Sequence, residues 1–423
     1  MQDGKATESP PFPVGALAGV RVLDLSRVLA GPWCAQILAD LGAEVIKVEA
    51  PGTGDDTRMW GPPFLPPSEG TAGPGESAYY LCANRNKRSV AIDFATPEGA
   101  DLVRRLAATC DVVIENYKVG GLARYGLDYE RLCALNPRLV FCSITGFGQF
   151  GPYAERGGYD FVAQGMGGLM SITGQPEGAP GGEPMKAGVA ICDLFTGMYA
   201  VTAVLAALRH AERTGQGQRI DCALLDSQVA MLANQGLSYL VGGVVGARMG
   251  NAHPTVVPYR TFRAADGDLV VAVGNDRQFR ALCEALGRDD LRDDQRFARN
   301  VDRVRHRADL EAALVDTIAK RQVAAVLDAL ERVGVPCGPI NGIDAVFADP
   351  QVRARDLVRT ITRADGTLVP GVAYPPQLSL TPAQYRRPPP RLGEDTADVL
   401  ERELGLDGPA RAGLAERGVI GLA

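Results

Sequence analysis

Strand-like and helix-like segments alternate along the first half of the chain, and that alternation leaves few folds open. GVRVLDLS (Gly19 to Ser26) reads as a buried strand, and PWCAQILADLG (Pro32 to Gly42) as a helix opened by proline in its first turn and closed by glycine. EVIKVE (Glu44 to Glu49) and SVAIDF (Ser89 to Phe94) are the next strands. A helix follows with Thr96 as N-cap, Pro97 at its first position and Glu98 placed well against the helix dipole. DVVIEN (Asp111 to Asn116) and, after a short helix, RLVFCSI (Arg138 to Ile144) continue the series. Strand, helix, strand repeated in this way predicts parallel pairing with right-handed crossovers, an open α/β sheet of Rossmann-like type.

The second half differs in texture. Ala187 to Arg213 reads as one long, largely apolar helix, ended by TGQGQ, where Gly215 and Gly217 permit a tight turn into QRIDCAL. DGDLVVAVG (Asp266 to Gly274) looks like half a hairpin after an Asp-Gly turn, and Asp276 to Gly334 like short charged helices. The tail from Gly366 carries another β-like piece, a proline-rich crossing (RRPPPRLGEDT) and a last short helix. GPPFLPPSEGTAGPGES (Gly61 to Ser77) reads as an irregular loop. The expected division is a large α/β domain over 15–215, a linker over 216–244, a smaller α+β domain over 245–350, and a C-terminal return over 351–423.

Composition narrows the function. A chain of 423 residues with a net charge of −6 is large enough for a substantial core and is no general binder of nucleic acid or anionic membrane. No secretory signal is visible at the N-terminus, and no run approaches the ~20 apolar residues that span a bilayer. Nine cysteines, scattered and never in CxxC spacing, together with three histidines, suggest free thiols in a reducing cytoplasm and no metal site.

Ligands of an open parallel sheet sit beyond the carboxyl ends of its strands. SRVLAGPW after the first strand is not the Gly-x-Gly-x-x-Gly fingerprint, which disfavours a dinucleotide-dependent dehydrogenase. Arg58, Lys87, Arg88, Lys118 and Arg124, with Tyr117, suit a phosphorylated nucleotide, although each cation alone is more often a solvated surface charge. The stretch TGFGQFGPYAERGGYDFVAQG sets Asp160 behind Gly157, Gly158 and Tyr159. Close-approaching glycine backbone can stabilise an oxyanion, and a carboxylate beside it can attack an activated acyl group. By residue type alone, Asp160 reads more readily as the N-cap of a helix beginning at Phe161, and spacing does not decide between the two.

At this point a family resemblance enters. GVRVLDLSRVLAGPWCAQILADLGAEVIKVE, GTGDDTR, NKRS, ENYKVGGLARYGLDY, GGYDF, TGQGQRIDCALLD and GVPCGPI resemble, in family order from about Leu17 to Val419, the class III coenzyme A transferases, the family of formyl-CoA and carnitine-CoA transferases. General likeness is greatest to the branch containing succinate:hydroxymethylglutarate (glutarate) CoA-transferase. The resemblance implies a large domain built from both chain ends, a smaller domain, and a homodimer of interlocked rings. It implies acyl-CoA and small carboxylic acids as substrates, succinyl-CoA as donor and a dicarboxylate as acceptor, with no tightly bound cofactor. The family's nucleophile falls on Asp160, which passes through an aspartyl-CoA thioester. Carboxylates are ionised at neutral pH, so such chemistry needs no histidine.

The same resemblance places CoA contacts at Arg27, Val28, Leu29, Ala30, Lys87, Asn116, Tyr117 and Arg124. Gly157, Gly158, Tyr159 and Lys186 are candidates for acyl-group or oxyanion contacts; Arg156, Lys186 and Arg260 are candidates for the distal carboxylate of a dicarboxylic substrate. Ala50 and Thr145 stand where formyl-CoA transferase has an arginine and a lysine, and VGGVVGARMGNAHP (Val241 to Pro254) is the counterpart of its glycine lid. The alternative on the same fold is 2-methylacyl-CoA racemase, which needs acid/base groups on two faces. There Tyr159 stands in place of a histidine, and Asp193 is the second acid; in a transferase Asp193 reads as a structural residue at a helix start. Cys337 and His253 read as turn residues.

Overall fold

The computed structural model describes residues 15–66 and 75–422; the first fourteen residues and the middle of the loop at 61–77, both read above from sequence, lie outside the described residues. The chain divides into two compact units. One gathers the chain up to Gly168, Ala187–Ala233 and everything from Arg353 onward; the other gathers Leu169–Lys186 and Asn234–Val352.

The first unit is built on a seven-stranded sheet. Its strands are β1 (Arg21–Asp24), β2 (Glu44–Glu49), β3 (Lys87–Ile92), β4 (Val112–Glu115), β5 (Val140–Thr145) and β6 (Arg219–Ala223), with the terminal Ile420–Gly421 as the seventh. In space the order is terminal strand, β3, β2, β1, β4, β5, β6. All pairings are parallel except that of the terminal strand, which runs antiparallel on β3. The segment expected to be a linker, 216–244, carries β6 and the helices Leu224–Met231 and Ala233–Gly242.

Continuous apolar runs form these strands because both sheet faces are covered. Side chains of a strand alternate between faces. Val22, Val45, Val112, Ile114, Val140 and Cys142 face one core, which holds α1 (Ala30–Asp40). Leu23, Ile46, Val113 and Phe141 face the other, with α2 (Pro97–Ala108), whose Thr96 hydroxyl accepts the Gly99 N–H as the sequence predicts.

The long helix runs Ile191–Thr214 and ends at Gly215, whose φ of +76° makes it a left-handed cap. By length and composition it would cross a bilayer, but a core helix passes the same test and this one packs on α1. Gly197 permits that packing: a Cβ there would lie 2.8 Å from the carbonyl oxygen of Ala30. The proline-rich tail is tied to the first half of the chain. Tyr80 Oη and Arg58 donate to the Pro390 carbonyl, Asn86 Oδ1 accepts from Arg386 and Arg387, and Asp395 accepts from the Ser89 N–H.

The second unit holds a three-stranded antiparallel sheet, β7 (Tyr259–Arg263), β8 (Asp268–Ala272) and β9 (Cys337–Pro339), with charged helices between β8 and β9. Asp266 and Gly267 make the hairpin turn as expected.

Candidate active site

The loop after β1 is fixed from two sides. Asn116, just past β4, donates to the Arg27 carbonyl at 2.6 Å and accepts the Arg27 N–H at 2.8 Å. Asp55 accepts the N–H of Val28, which sits at φ +69°, an unfavourable conformation for a β-branched residue that the surroundings must enforce. Lys47 reaches Asp55 at 3.0 Å and, against the opposing effect of burial, holds its carboxyl down to about 2. Two buried groups thus keep the loop in a strained shape.

That loop forms one wall of a cavity of about 770 Å³. Seven of the residues expected to contact CoA line it: Arg27, Val28, Leu29, Ala30, Asn116, Tyr117 and Arg124. At one end Phe94 packs edge-on against Tyr117 and Tyr125; Arg27 lies over Tyr117 and Arg124 over Tyr125. A second cavity of about 230 Å³, with Ala50 in its wall, shares Arg27, Phe94 and Tyr117 with the first. Aromatic faces with cations laid on them suit a heterocycle carrying phosphates.

Lys87 requires a correction. It opens β3 at the strand's amino end and is fully buried, and its ammonium donates to Asp24 Oδ2, the Pro32 carbonyl and Asn84 Oδ1 at 2.9 Å each. All three protons are committed inside the protein, so none reaches a ligand; burial also pulls its pKa down to about 8. Arg58 is spent likewise: it forms a bidentate pair with Glu49 and stacks on Tyr80. Lys87 and Arg58, read as ligand-facing, are here parts of a buried charge network.

Asp160 is not the N-cap of a helix beginning at Phe161. It is the first residue of α3 (Asp160–Met166), and its side chain caps a different helix, the long one, called α4 from here on. Asp160 Oδ1 accepts the N–H of Cys192 at 2.8 Å and of Asp193 at 3.3 Å, whereas the formal N-cap, Ala190, has no side chain suited to the task. Asp160 Oδ2 accepts from Gln164 Nε2 at 2.6 Å.

The glycine pair before Asp160 divides its work. A Cβ on Gly158 would come within 2.5 Å of the Gly146 backbone, so Gly158 serves chain packing; Gly157 has open space and lines the cavity, as does the 68% exposed Tyr159. Arg156 also lines it, stacked on Phe147 and Tyr153. Lys186 and Arg260 belong to the second unit, where Arg260 is paired with Glu311.

Asp193, read as a residue at a helix start, lies in the first turn of α4 and is half-buried. It lines the same cavity as the CoA candidates, and among the described residues its carboxylate has no hydrogen-bond partner. Burial, with the charge of Asp160 adding to it, pushes its carboxyl up to about 7. Sequence reasoning missed Tyr79 altogether. Burial, then the nearby charge of Asp193 and other groups including Asp160, raise its phenol to about 12, and Trp60 packs edge-on against its ring. Only the position of Tyr79 shortly before the NKRS motif gave a signal.

Known proteins resemble this chain over most of its length. A profile of CoA-transferase family III matches residues 17–396. A succinate–glutarate CoA-transferase of Agrobacterium fabrum is 55% identical over 91% of this chain and 94% of the relative. The human succinyl-CoA:glutarate CoA-transferase is 45% identical over 96% of this chain and 90% of the relative. The crystal structure of a CAIB/BAIF family protein from Brucella suis, 49% identical, superposes with a TM-score of 0.81 and covers 92% of this chain and 100% of that one. The chain belongs to CoA-transferase family III.

Proposed function

We propose that this CoA-transferase moves CoA from succinyl-CoA to glutarate or a closely related dicarboxylate, and that Asp160 is the carboxylate that forms the covalent intermediate. The substrate pair is supported by the activities named for the 55% and 45% identical relatives. The observation that carries the residue assignment is the placement of Asp160: it directly follows Gly157, Gly158 and Tyr159, which line the cavity, and three N–H donors hold its carboxylate in one orientation. Attack by its neighbour Asp193, on the same cavity wall, is the rival outcome of the test.

The reaction balances without an added proton. The Asp160 carboxylate attacks the succinyl carbonyl and the C–S bond breaks, giving a mixed anhydride and CoA thiolate. The thiolate attacks the aspartyl carbonyl and releases succinate, leaving an aspartyl-CoA thioester. The carboxylate of the acceptor attacks that thioester; thiolate leaves, then attacks the acceptor's acyl carbon, releasing the new acyl-CoA and restoring the aspartate. The cleft contributes by holding the CoA phosphates at Arg27 and Arg124 and the adenine against Tyr117, so that the thiolate stays in place between steps.

Exposed Phe161, Met166, Phe195, Met198, Tyr199 and Val229 on the helices of the first unit support a homodimer as the working form. The direct test of function is a transfer assay by mass spectrometry: purified protein, succinyl-CoA and a pooled panel of mono- and dicarboxylic acids. Glutaryl-CoA formed by the wild type and absent with Asp160→Asn is the expected result. Deuterium uptake into a 2-methylacyl-CoA from heavy water, with no transfer, would favour the racemase instead.

A further inference from the structure

Asn116 and Glu115 leave the end of β4 in opposite directions, because successive side chains of a strand alternate between its faces. Asn116 turns towards Arg27 and exchanges two hydrogen bonds with its backbone. Glu115 turns the other way, to the side of Val113 and Phe141, where it stands opposite Ser143 of β5. It is 6% exposed, and its Oε2 accepts the N–H of Tyr117 at 2.8 Å. Among the described residues no other group accepts that N–H.

The segment beyond this contact has little behind it. Residues 118–121 line the CoA cleft on one side and a separate cavity of about 550 Å³ on the other. Glu115 and Ser143 stand in the wall of that second cavity. Inside the segment the Gly121 N–H donates to the Lys118 carbonyl at 2.7 Å, and a Cβ on Gly121 would lie 2.8 Å from that oxygen. A loop with space on both faces takes its position from its anchors, and Tyr117 is the residue at which β4 passes into it. The Tyr117 ring lies edge-on against Phe94 with Arg27 over its face, so a shift of the Tyr117 backbone displaces one wall of the cleft.

We infer that Glu115 is a positioning residue for CoA binding: from the far side of the loop it fixes the Tyr117 backbone, and with it the ring that takes the adenine, while Asn116 fixes the facing loop after β1. The inference rests on the cleft as the CoA site with Tyr117 against the adenine. Glu115 is not among the residues that line the cleft, and its effect belongs in the KM for the CoA substrate rather than in turnover at Asp160.

The test compares three variants with wild type at a single pH in succinyl-CoA-dependent transfer. Glu115→Leu removes the acceptor, Glu115→Asp keeps the charge but draws it back by one methylene, and Glu115→Gln keeps an acceptor oxygen at the same reach. Leucine and aspartate are expected to raise the KM for succinyl-CoA about tenfold, the size of one hydrogen bond to a charged group, with kcat and the KM for the acceptor acid within about threefold of wild type. Glutamine stays within about threefold of wild type in every constant. In a double-mutant cycle with Tyr117→Ala the two losses do not add, since Glu115 acts through Tyr117. An unchanged KM with leucine and aspartate, a glutamine variant as impaired as leucine, a loss that falls on kcat, or additive losses with Tyr117→Ala overturns the inference. If thermal unfolding shows that the leucine variant does not fold, the aspartate and glutamine variants decide between them. Tyr117→Ala alone checks the reading beneath: a wild-type KM for succinyl-CoA there removes Tyr117 from CoA binding, and the inference with it, whatever Glu115 does.

Discussion

The carboxylate of Asp160 stands 2.8 Å from the backbone N–H of Cys192 and so caps, from outside, a 24-residue helix whose own N-cap position is an alanine. This contact holds the proposed nucleophile in one orientation against the first turn of α4. Asp160→Asn keeps the acceptor for Cys192, and its kcat is expected to fall by about 10⁴-fold or more, as on removal of a nucleophile. Asp193→Asn is expected to stay within about 10-fold of wild-type kcat.

The pH dependence follows from the carboxyl of Asp193, raised to about 7 by burial and by Asp160. Its ionisation adds a negative charge to the cavity that is to take anionic substrates. The KM for succinyl-CoA is expected to rise as the pH rises through about 7, and no such rise remains in Asp193→Asn.

The same group makes a stability prediction of definite sign. An aspartate titrates near ~3.9 in an unfolded chain, so the folded state holds this proton more tightly and loses stability as the pH rises from there through about 7. Asp193→Asn removes that cost. Its gain in Tm over wild type is expected to be larger on the alkaline side of the window than at its acidic end.

Lys87→Met separates a buried structural cation from a ligand contact. Breaking its pair with Asp24 leaves a buried carboxylate uncompensated and is expected to cost about 3–5 kcal/mol in chemical denaturation. Enzyme that remains folded keeps the wild-type KM for succinyl-CoA. Arg124→Ala shows the reverse pattern: an unchanged Tm, with KM raised about tenfold, as for a lost charge-assisted phosphate contact.

Tyr79→Phe removes a phenol that senses both aspartates. The phenol is neutral at working pH, so the expected outcome is a kcat within about threefold of wild type, and a larger loss would show that the phenol contacts the reacting groups.

Much of the sheet was legible in the sequence, because strands buried on both faces write themselves as unbroken apolar runs and the helix between β3 and β4 announces itself through Thr96 and Pro97. That the loops after β1 and β4 line one cavity was also legible. What failed had a common cause. Lys87 and Arg58 looked solvent-facing because sequence spacing cannot show that Asp24 and Glu49, far away in the chain, neutralise them inside the core. Asp160 looked like a local cap because its true partner, the start of α4, lies some thirty residues on. The terminal strand on β3 is two residues long and antiparallel, too short to show any period.

The most direct measurement identifies the residue that carries CoA. Enzyme incubated with succinyl-CoA is quenched with hydroxylamine, which converts an aspartyl-CoA thioester to an aspartyl hydroxamate and free CoA, and the digest is mapped by peptide mass spectrometry. A hydroxamate at Asp160, dependent on succinyl-CoA and absent when the acceptor acid is supplied in excess, is the predicted result. A hydroxamate at Asp193, or at no aspartate in protein that turns over, contradicts the account.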